Sequence, residues 1–148
     1  MNTKETLSQA VVEAVKAGDK RKKTTLRLAL SAIKNAEVSK GGPLDDAAVL
    51  AILQKEVKSR RETAAEAGTA GRDDLVADAE AEIVILEAFL PQPLDESALR
   101  DIVEKAVRES GAESVREMGS VMKIVMPHVQ GRADGKQVSS LVREYLQG

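Results

Sequence analysis

The 148-residue chain contains no cysteine and no tryptophan, and only one residue each of phenylalanine, tyrosine and histidine. Without cysteine it has no disulfide, no thiolate nucleophile and no cysteine-ligated zinc. β-Sandwiches and barrels normally contain more aromatic and β-branched residues, in short runs bounded by turn signals. Because alanine, leucine, valine, glutamate, lysine and arginine dominate instead, the composition predicts an all-α protein of one ordinary domain or two small ones.

Long apolar runs are also missing. No run is long enough to cross a bilayer, and the first five residues lack the apolar core of a signal peptide. We therefore expect a cytoplasmic protein that does not contact a membrane.

Groups that commonly perform catalysis are scarce. His128, the one histidine, follows Pro127 near a predicted helix end, where a solvated or helix-capping histidine is typical. The segment Gly131–Lys136 lacks the spacing of a phosphate-binding Walker loop, and the acidic clusters lack a metal-ligand context. We predict no catalytic residue, no metal and no cofactor, and we expect no catalytic activity of the chain's own.

Charge is distributed unevenly along the chain. Residues 1–72 carry 14 bases and 9 acids, residues 73–115 carry 3 bases and 12 acids, and residues 116–143 carry 5 bases and 2 acids. Two basic regions around an acidic middle suit a polyanion partner contacted at two places. Ordinary solvated helix faces give the same pattern, so both interpretations stay open.

Apolar residues recur at helical spacing in seven segments separated by glycine or proline. The first helix is predicted to bury four residues: Leu7, Val11, Val12 and Val15. Asp45 and Asp95 are expected to cap the third and fifth helices, and Ser114 with Glu117 the sixth.

The segment Pro91-Gln92-Pro93 is the strongest boundary, because two prolines one residue apart cannot continue a helix. We predict an N-terminal four-helix part, residues 1–91, followed by a C-terminal three-helix bundle, residues 92–148.

The loop Gly131-Arg132-Ala133-Asp134-Gly135-Lys136 joins the last two predicted helices. Its glycines permit positive φ angles, and Asp134 can cap the following helix. Arg132 and Lys136 would then be held where an anion can meet them. A purely structural turn requires the same glycines, so both interpretations stay open.

Basic residues on the second predicted helix form another candidate site for phosphates: Lys20-Arg21-Lys22-Lys23 opens the helix, and Arg27 and Lys34 continue on it at helical spacing. A second group, Lys55, Lys58, Arg60 and Arg61, lies on the third helix. Because the chain lacks aromatic residues for stacking on single-stranded bases, a folded RNA recognised by its shape is favoured.

Several motifs resemble the YqeY family. Its C-terminal signature is similar to Met118-Gly119-x-Val121-Met122-Lys123 followed by Gly131-x-Ala133-Asp134-Gly135-Lys136-x-Val138-x-x-Leu141-Val142. Its middle helix is similar to Arg72-x-Asp74-Leu75 followed by Glu80-x-Glu82, and Phe89-Leu90-Pro91 stands where the family usually has Tyr-Leu-Pro. Its second helix is similar to Leu26-Arg27-Leu28-x-Leu30-Ser31-Ala32-Ile33-Lys34. The resemblance covers essentially the whole chain, and the C-terminal signature is its most specific part.

YqeY proteins are similar to the tail of the B subunit of glutamine-dependent aminoacyl-tRNA amidotransferase. The resemblance implies the same four-helix and three-helix parts, and a tail domain that contacts tRNA. Kinase and transamidase chemistry belongs to a separate cradle domain for which this chain has no room. A carbon–nitrogen ligase label with glutamine as amido donor comes with the family, but the residues give it no independent support.

The leading hypothesis is a non-catalytic tRNA-binding or tRNA-associated helper. The candidate RNA-binding residues are Arg132, Lys136, Lys123, Gly131, Gly135, Lys20, Arg21 and Arg27. One alternative is an accessory component that presents tRNA to amidotransferase subunits or to a tRNA-charging enzyme. Another is a protein–protein adaptor whose acidic residues 73–115 dock a basic partner. We expect no binding to DNA.

Overall fold

The computed structural model describes residues 1–147, and within them it contains seven α-helices, one 3₁₀ turn and no β-strand. The helices are α1 (Thr3–Ala17), α2 (Lys20–Lys40), α3 (Asp46–Thr69), α4 (Asp73–Glu87), α5 (Glu96–Ser110), α6 (Met118–Val129) and α7 (Gly135–Gln147), with the 3₁₀ turn at Val115–Glu117. The all-α class predicted from composition is confirmed.

The chain divides into two compact units, Met1–Pro91 and Gln92–Gly148. Helices α1 to α4 belong to the first unit, and α5 to α7 with the 3₁₀ turn belong to the second. The two prolines of Pro91-Gln92-Pro93 lie between α4 and α5, outside both helices, as their missing N–H groups and fixed φ require. Within residues 1–147, no helix combines the length and apolarity needed to cross a membrane.

Aspartate side chains cap the N-termini of three helices. Asp19, Asp45 and Asp95 each accept a hydrogen bond from the backbone N–H three residues later, at 3.0, 2.8 and 2.7 Å. Such a bond satisfies one of the N–H groups that have no partner inside the helix. The caps predicted at Asp45 and Asp95 are confirmed.

The capping pair predicted at Ser114 and Glu117 is wrong. The Ser114 side chain makes no capping hydrogen bond, and the Glu117 carboxylate instead accepts one from the backbone N–H of Glu113 at 3.3 Å. Because residues 115–117 form a tighter 3₁₀ turn, α6 begins only at Met118.

In the first unit, the core contains one large buried side chain from α1 and others from α2, α3 and α4, namely Leu7, Leu26, Ile33, Leu53 and Leu86. Burial of each such side chain stabilises the fold by roughly 1.5–3 kcal/mol. The inward face predicted for α1 is partly wrong, because Val12 and Val15 are 52% and 51% exposed. Ala10 and Ala14 are buried instead, since they share a helix face with Leu7.

The second unit has its own core, formed by one buried row from each helix: Leu99, Val103 and Ala106; Val121, Val125 and Val129; and Val138, Leu141, Val142 and Leu146. Met118, Met122 and Met126 are partly buried and pack against this core, as their spacing of four residues predicts. These methionines therefore have a packing role.

Glu37, near the end of α2, connects three segments of the first unit. Its Oε1 lies 2.6 Å from Lys4 Nζ of α1, and its Oε2 accepts a hydrogen bond from the backbone N–H of Leu44 at 3.0 Å. The Lys4 hydrogen bond, followed by the Leu44 N–H, lowers the pKa of Glu37 below its ordinary value of 4.5. The charged form is thus favoured in the folded protein.

Glu37 therefore makes stability depend on pH. Its contribution is present above the ordinary carboxyl pKa and is lost as the pH falls through the lower folded-state pKa. We expect Glu37→Gln to be less stable than the parent protein near neutral pH, with a difference that shrinks in acid. Urea denaturation followed by circular dichroism measures this.

Glu13→Gln is the matched control, since Glu13 is an exposed acid of α1. It should leave stability nearly unchanged at both pH values. A loss of stability in Glu37→Gln that is equal at neutral and acid pH would contradict the role of the Glu37 charge.

Candidate nucleic-acid interface

The outer face of α2 carries a row of basic side chains. Lys20, Lys23, Arg27 and Lys34 follow one another at spacings of 3, 4 and 7 residues, so they share one face of a helix with 3.6 residues per turn. Lys23 is half-buried, and the other three are exposed. At a rise of 1.5 Å per residue, the row is about 21 Å long. The buried side chains of α2 lie on the other side: Thr25, Leu26, Ala29 and Ile33.

We call Lys20, Lys23, Arg27 and Lys34 the α2 basic row. Among residues 1–147, none of these four side chains forms a hydrogen bond or ion pair with another residue. The only acid within α2 is Glu37, which pairs with Lys4. The positive charge of the row is therefore not cancelled on its own helix.

Three arginines of the first unit pair with acids of α4. Arg21 lies 2.8 Å from Asp78, Arg60 lies 3.1 Å from Glu82, and Arg61 pairs with Glu87. The acidic middle of the sequence therefore supplies countercharge to the basic helices before it. Of the three candidates predicted on α2, Lys20 and Arg27 belong to the row, whereas Arg21 is paired.

The Gly131–Lys136 loop lies in the second unit. Gly131 has a φ of +75°, which confirms that a glycine is needed there. Gly135 is different, because it is the first residue of α7 and lacks a positive φ. An added Cβ at Gly135 would meet nothing within 4 Å. The conformational reason predicted for this second glycine is therefore wrong.

Arg132 fastens this loop to the segment before α5. Its Nε donates a hydrogen bond to the Gln92 carbonyl at 3.0 Å, and its own carbonyl accepts one from the Leu94 N–H at 3.0 Å. Sequence reasoning missed this contact, since the partners lie 40 and 38 residues away along the chain. Asp134 accepts from the Lys136 N–H at 3.0 Å, which agrees with its predicted capping role.

Lys136 and Arg143 are exposed on the outer face of α7, seven residues apart. The neighbouring Glu144 carboxylate is 3.4 Å from Arg100. Lys123 is also exposed, on α6. Arg143 is the basic residue that the sequence prediction omitted, although its spacing from Lys136 on a predicted helix was a usable signal.

His128 is exposed in the last turn of α6, in agreement with its prediction as a solvated residue. It borders a shallow cavity of about 140 Å³ lined also by Ile102, Lys105, Ala106, Glu109 and Ile124. Within residues 1–147 no group of three histidine or carboxylate side chains is placed to hold a metal ion.

Comparison with known proteins identifies the family of this chain. The model of the YqeY-like protein family matches residues 4–146. The chain belongs to the YqeY family. The resemblance to the YqeY family that the sequence motifs indicated is therefore confirmed.

Three similar proteins carry the name altered inheritance of mitochondria protein 41, mitochondrial. The one from Pyrenophora tritici-repentis is 30% identical over 136 residues, which cover 90% of this chain and 75% of the relative. The one from Saccharomyces cerevisiae is 29% identical over 127 residues, covering 85% of this chain and 67% of the relative. A third, from Eremothecium gossypii, is 40% identical over 85 residues, covering 57% and 46%.

The expected cytoplasmic location is wrong by this comparison, because the similar proteins are named as mitochondrial. The expectation came from the lack of apolar targeting and membrane segments. A helical domain with a charged surface folds in either aqueous compartment, so that lack does not distinguish them.

The Arg132 contact makes a prediction about stability. Arg132→Ala removes a hydrogen bond to the Gln92 carbonyl and should lower the free energy of unfolding by about 1 kcal/mol. Lys136→Ala, four residues later and exposed, should change it by less than about 0.5 kcal/mol. Urea denaturation compares the two, and equal effects would contradict the fastening role of Arg132.

The two glycines of the loop should respond differently to alanine. Gly131→Ala places a Cβ on a left-handed residue and should destabilise the protein by about 1–2 kcal/mol. Gly135→Ala should be neutral or slightly stabilising, since Gly135 is the first residue of α7, has no positive φ, and has open space for a Cβ. Thermal unfolding of both variants measures this, and a larger loss for Gly135→Ala would be inconsistent with the backbone described.

Proposed function

We propose that this YqeY protein is a non-catalytic helper that binds the phosphate backbone of a folded RNA, with tRNA as the favoured class. The α2 basic row carries the proposal. Four cations lie on one helix face with no ion-pair partner among residues 1–147. Lysine and arginine side chains in such a row neutralise phosphates whatever the base sequence.

Local charge supports the proposal, whereas net charge does not. Residues 1–91 hold 14 bases and 15 acids, and residues 92–148 hold 8 and 9. Neither unit therefore attracts a polyanion from a distance. Screening at physiological salt limits the electrostatic attraction of each cation to a range of about 8 Å. Binding would depend on direct contact with the row, with a salt dependence set by a few phosphates.

A folded RNA fits better than an unfolded strand. Phe89 and Tyr145 are the only aromatic residues of the chain, and both pack against the apolar cores. They are not arranged as a platform on which bases stack. Similarity to the amidotransferase tail domain, which contacts tRNA, supports tRNA as the class.

The ion pairs of α4 weigh against the adaptor alternative. Asp78, Glu82 and Glu87 lie in the acidic region that would dock a basic partner, and all three are paired with arginines of the chain itself. An accessory role beside an amidotransferase is compatible with RNA binding, and the family similarity is its support.

Neutralising the row tests the proposal. We expect the combined substitutions Lys20→Gln, Arg27→Gln and Lys34→Gln to weaken tRNA binding about tenfold or more near physiological salt. The slope of log affinity against log salt should fall by roughly 0.7–0.9 for each phosphate that the variant no longer neutralises. Titration of labelled tRNA at several salt concentrations measures both quantities.

The matched control removes the same charge elsewhere. Lys16 on α1 and Lys105 and Arg108 on α5 are exposed bases outside the row and outside the other candidate groups. Their combined change to glutamine should reduce affinity and salt slope much less. Equal losses in the two triple variants, or no binding of tRNA by the parent protein, would overturn the proposal.

A further inference from the structure

The arginines paired with α4 acids are held in two different ways. Arg60 is only 13% exposed and contacts two carboxylates, Glu56 at 2.8 Å and Glu82 at 3.1 Å. Arg21 is 51% exposed and contacts one, Asp78, which is itself 53% exposed, at 2.8 Å. Arg60 is therefore part of the folded framework, whereas Arg21 is held by a single solvent-exposed contact.

A pair such as Arg21–Asp78 is easily exchanged. Ion pairs between exposed side chains contribute about 0–1 kcal/mol, because water and salt screen them and ordering two long side chains costs entropy. A phosphate is a strong competitor for the same guanidinium, because it can accept two parallel hydrogen bonds whereas Asp78 accepts only one from Arg21. The Asp78 carboxylate can thus be displaced at small cost.

Arg21 adjoins the first cation of the α2 basic row in the sequence. It follows Lys20, the first cation of the α2 basic row, in the first turn of α2. Asp78 comes from α4, which packs against α2. Arg21 projects about 100° around the helix from Lys20, on the side of its α4 partner, so a phosphate that extends from Lys20 towards α4 would meet the Arg21 guanidinium beside the Asp78 carboxylate.

We propose that Asp78 competes with an RNA phosphate for Arg21, which adds a fifth cation beside the Lys20 end of the α2 basic row when RNA binds. This inference rests on the proposed function. The carboxylate lowers affinity in two ways, since its pair with Arg21 must break and its own charge repels the phosphate. Asp78 is therefore an internal competitor for a phosphate at Arg21.

Removal of the competitor tests this inference. Asp78→Asn should tighten tRNA binding about threefold to fivefold, because this factor in affinity corresponds to the free energy of an exposed ion pair that no longer has to break. Glu80→Gln is the matched control, because Glu80 is exposed on the same helix and has no ion-pair partner among residues 1–147. It removes the same charge without releasing an arginine and should have a smaller effect.

A second comparison isolates Arg21. Arg21→Gln should weaken binding more when Asp78 is already asparagine than in the parent protein, because the free guanidinium then contributes fully. Asp78→Glu keeps the negative charge and should retain affinity close to that of the parent. Thermal unfolding of each variant verifies that the fold is intact.

The outcomes separate this inference from the proposed function. If Asp78→Asn and Glu80→Gln tighten binding equally, or if the effect of Arg21→Gln does not depend on residue 78, the competition is refuted. The α2 basic row can still be required for binding in that case. If the parent protein does not bind tRNA, both the proposed function and this inference are overturned.

Discussion

The packing of α4 against α2 and α3 is the constraint on which the charged surface of the first unit depends. Leu86 is fully buried in the shared core, together with Leu26 and Leu53. This burial brings the acids of α4 beside the arginines of the two earlier helices. Apolar contacts therefore decide which basic residues are paired and which remain available.

This constraint changes the meaning of the charge pattern. Along the sequence, an acidic segment follows a basic one, which could indicate separate docking surfaces for two partners. In the folded unit, Asp78 and Glu82 neutralise neighbouring arginines. The α2 basic row keeps its charge within a unit that has 14 bases and 15 acids. The functional proposal depends on that residual row.

Much of the fold was predictable because it is local. Asp45 and Asp95 cap helices through the N–H groups three residues later, and Gly131 has the positive φ that its turn requires. The inward face of α1 was less predictable from the sequence. Val12 is the more apolar residue, yet Ala14 is the buried one, because the way α1 packs on the other helices determines which face is covered. The hydrogen bond of Arg132 was not predictable for a similar reason, since its partner precedes another helix.

The sequence by itself determined the helical class, most helix ends, the family and the places where cations are concentrated. These properties depend on composition and on residues within about one helical turn of each other. Only the tertiary structure decided which cations are free. Arg21 and Lys20 are neighbours in the chain, yet one meets a carboxylate from α4 and the other faces solvent. That difference arises because ion pairs form between residues brought together by core packing, across 57 positions in the case of Arg21 and Asp78.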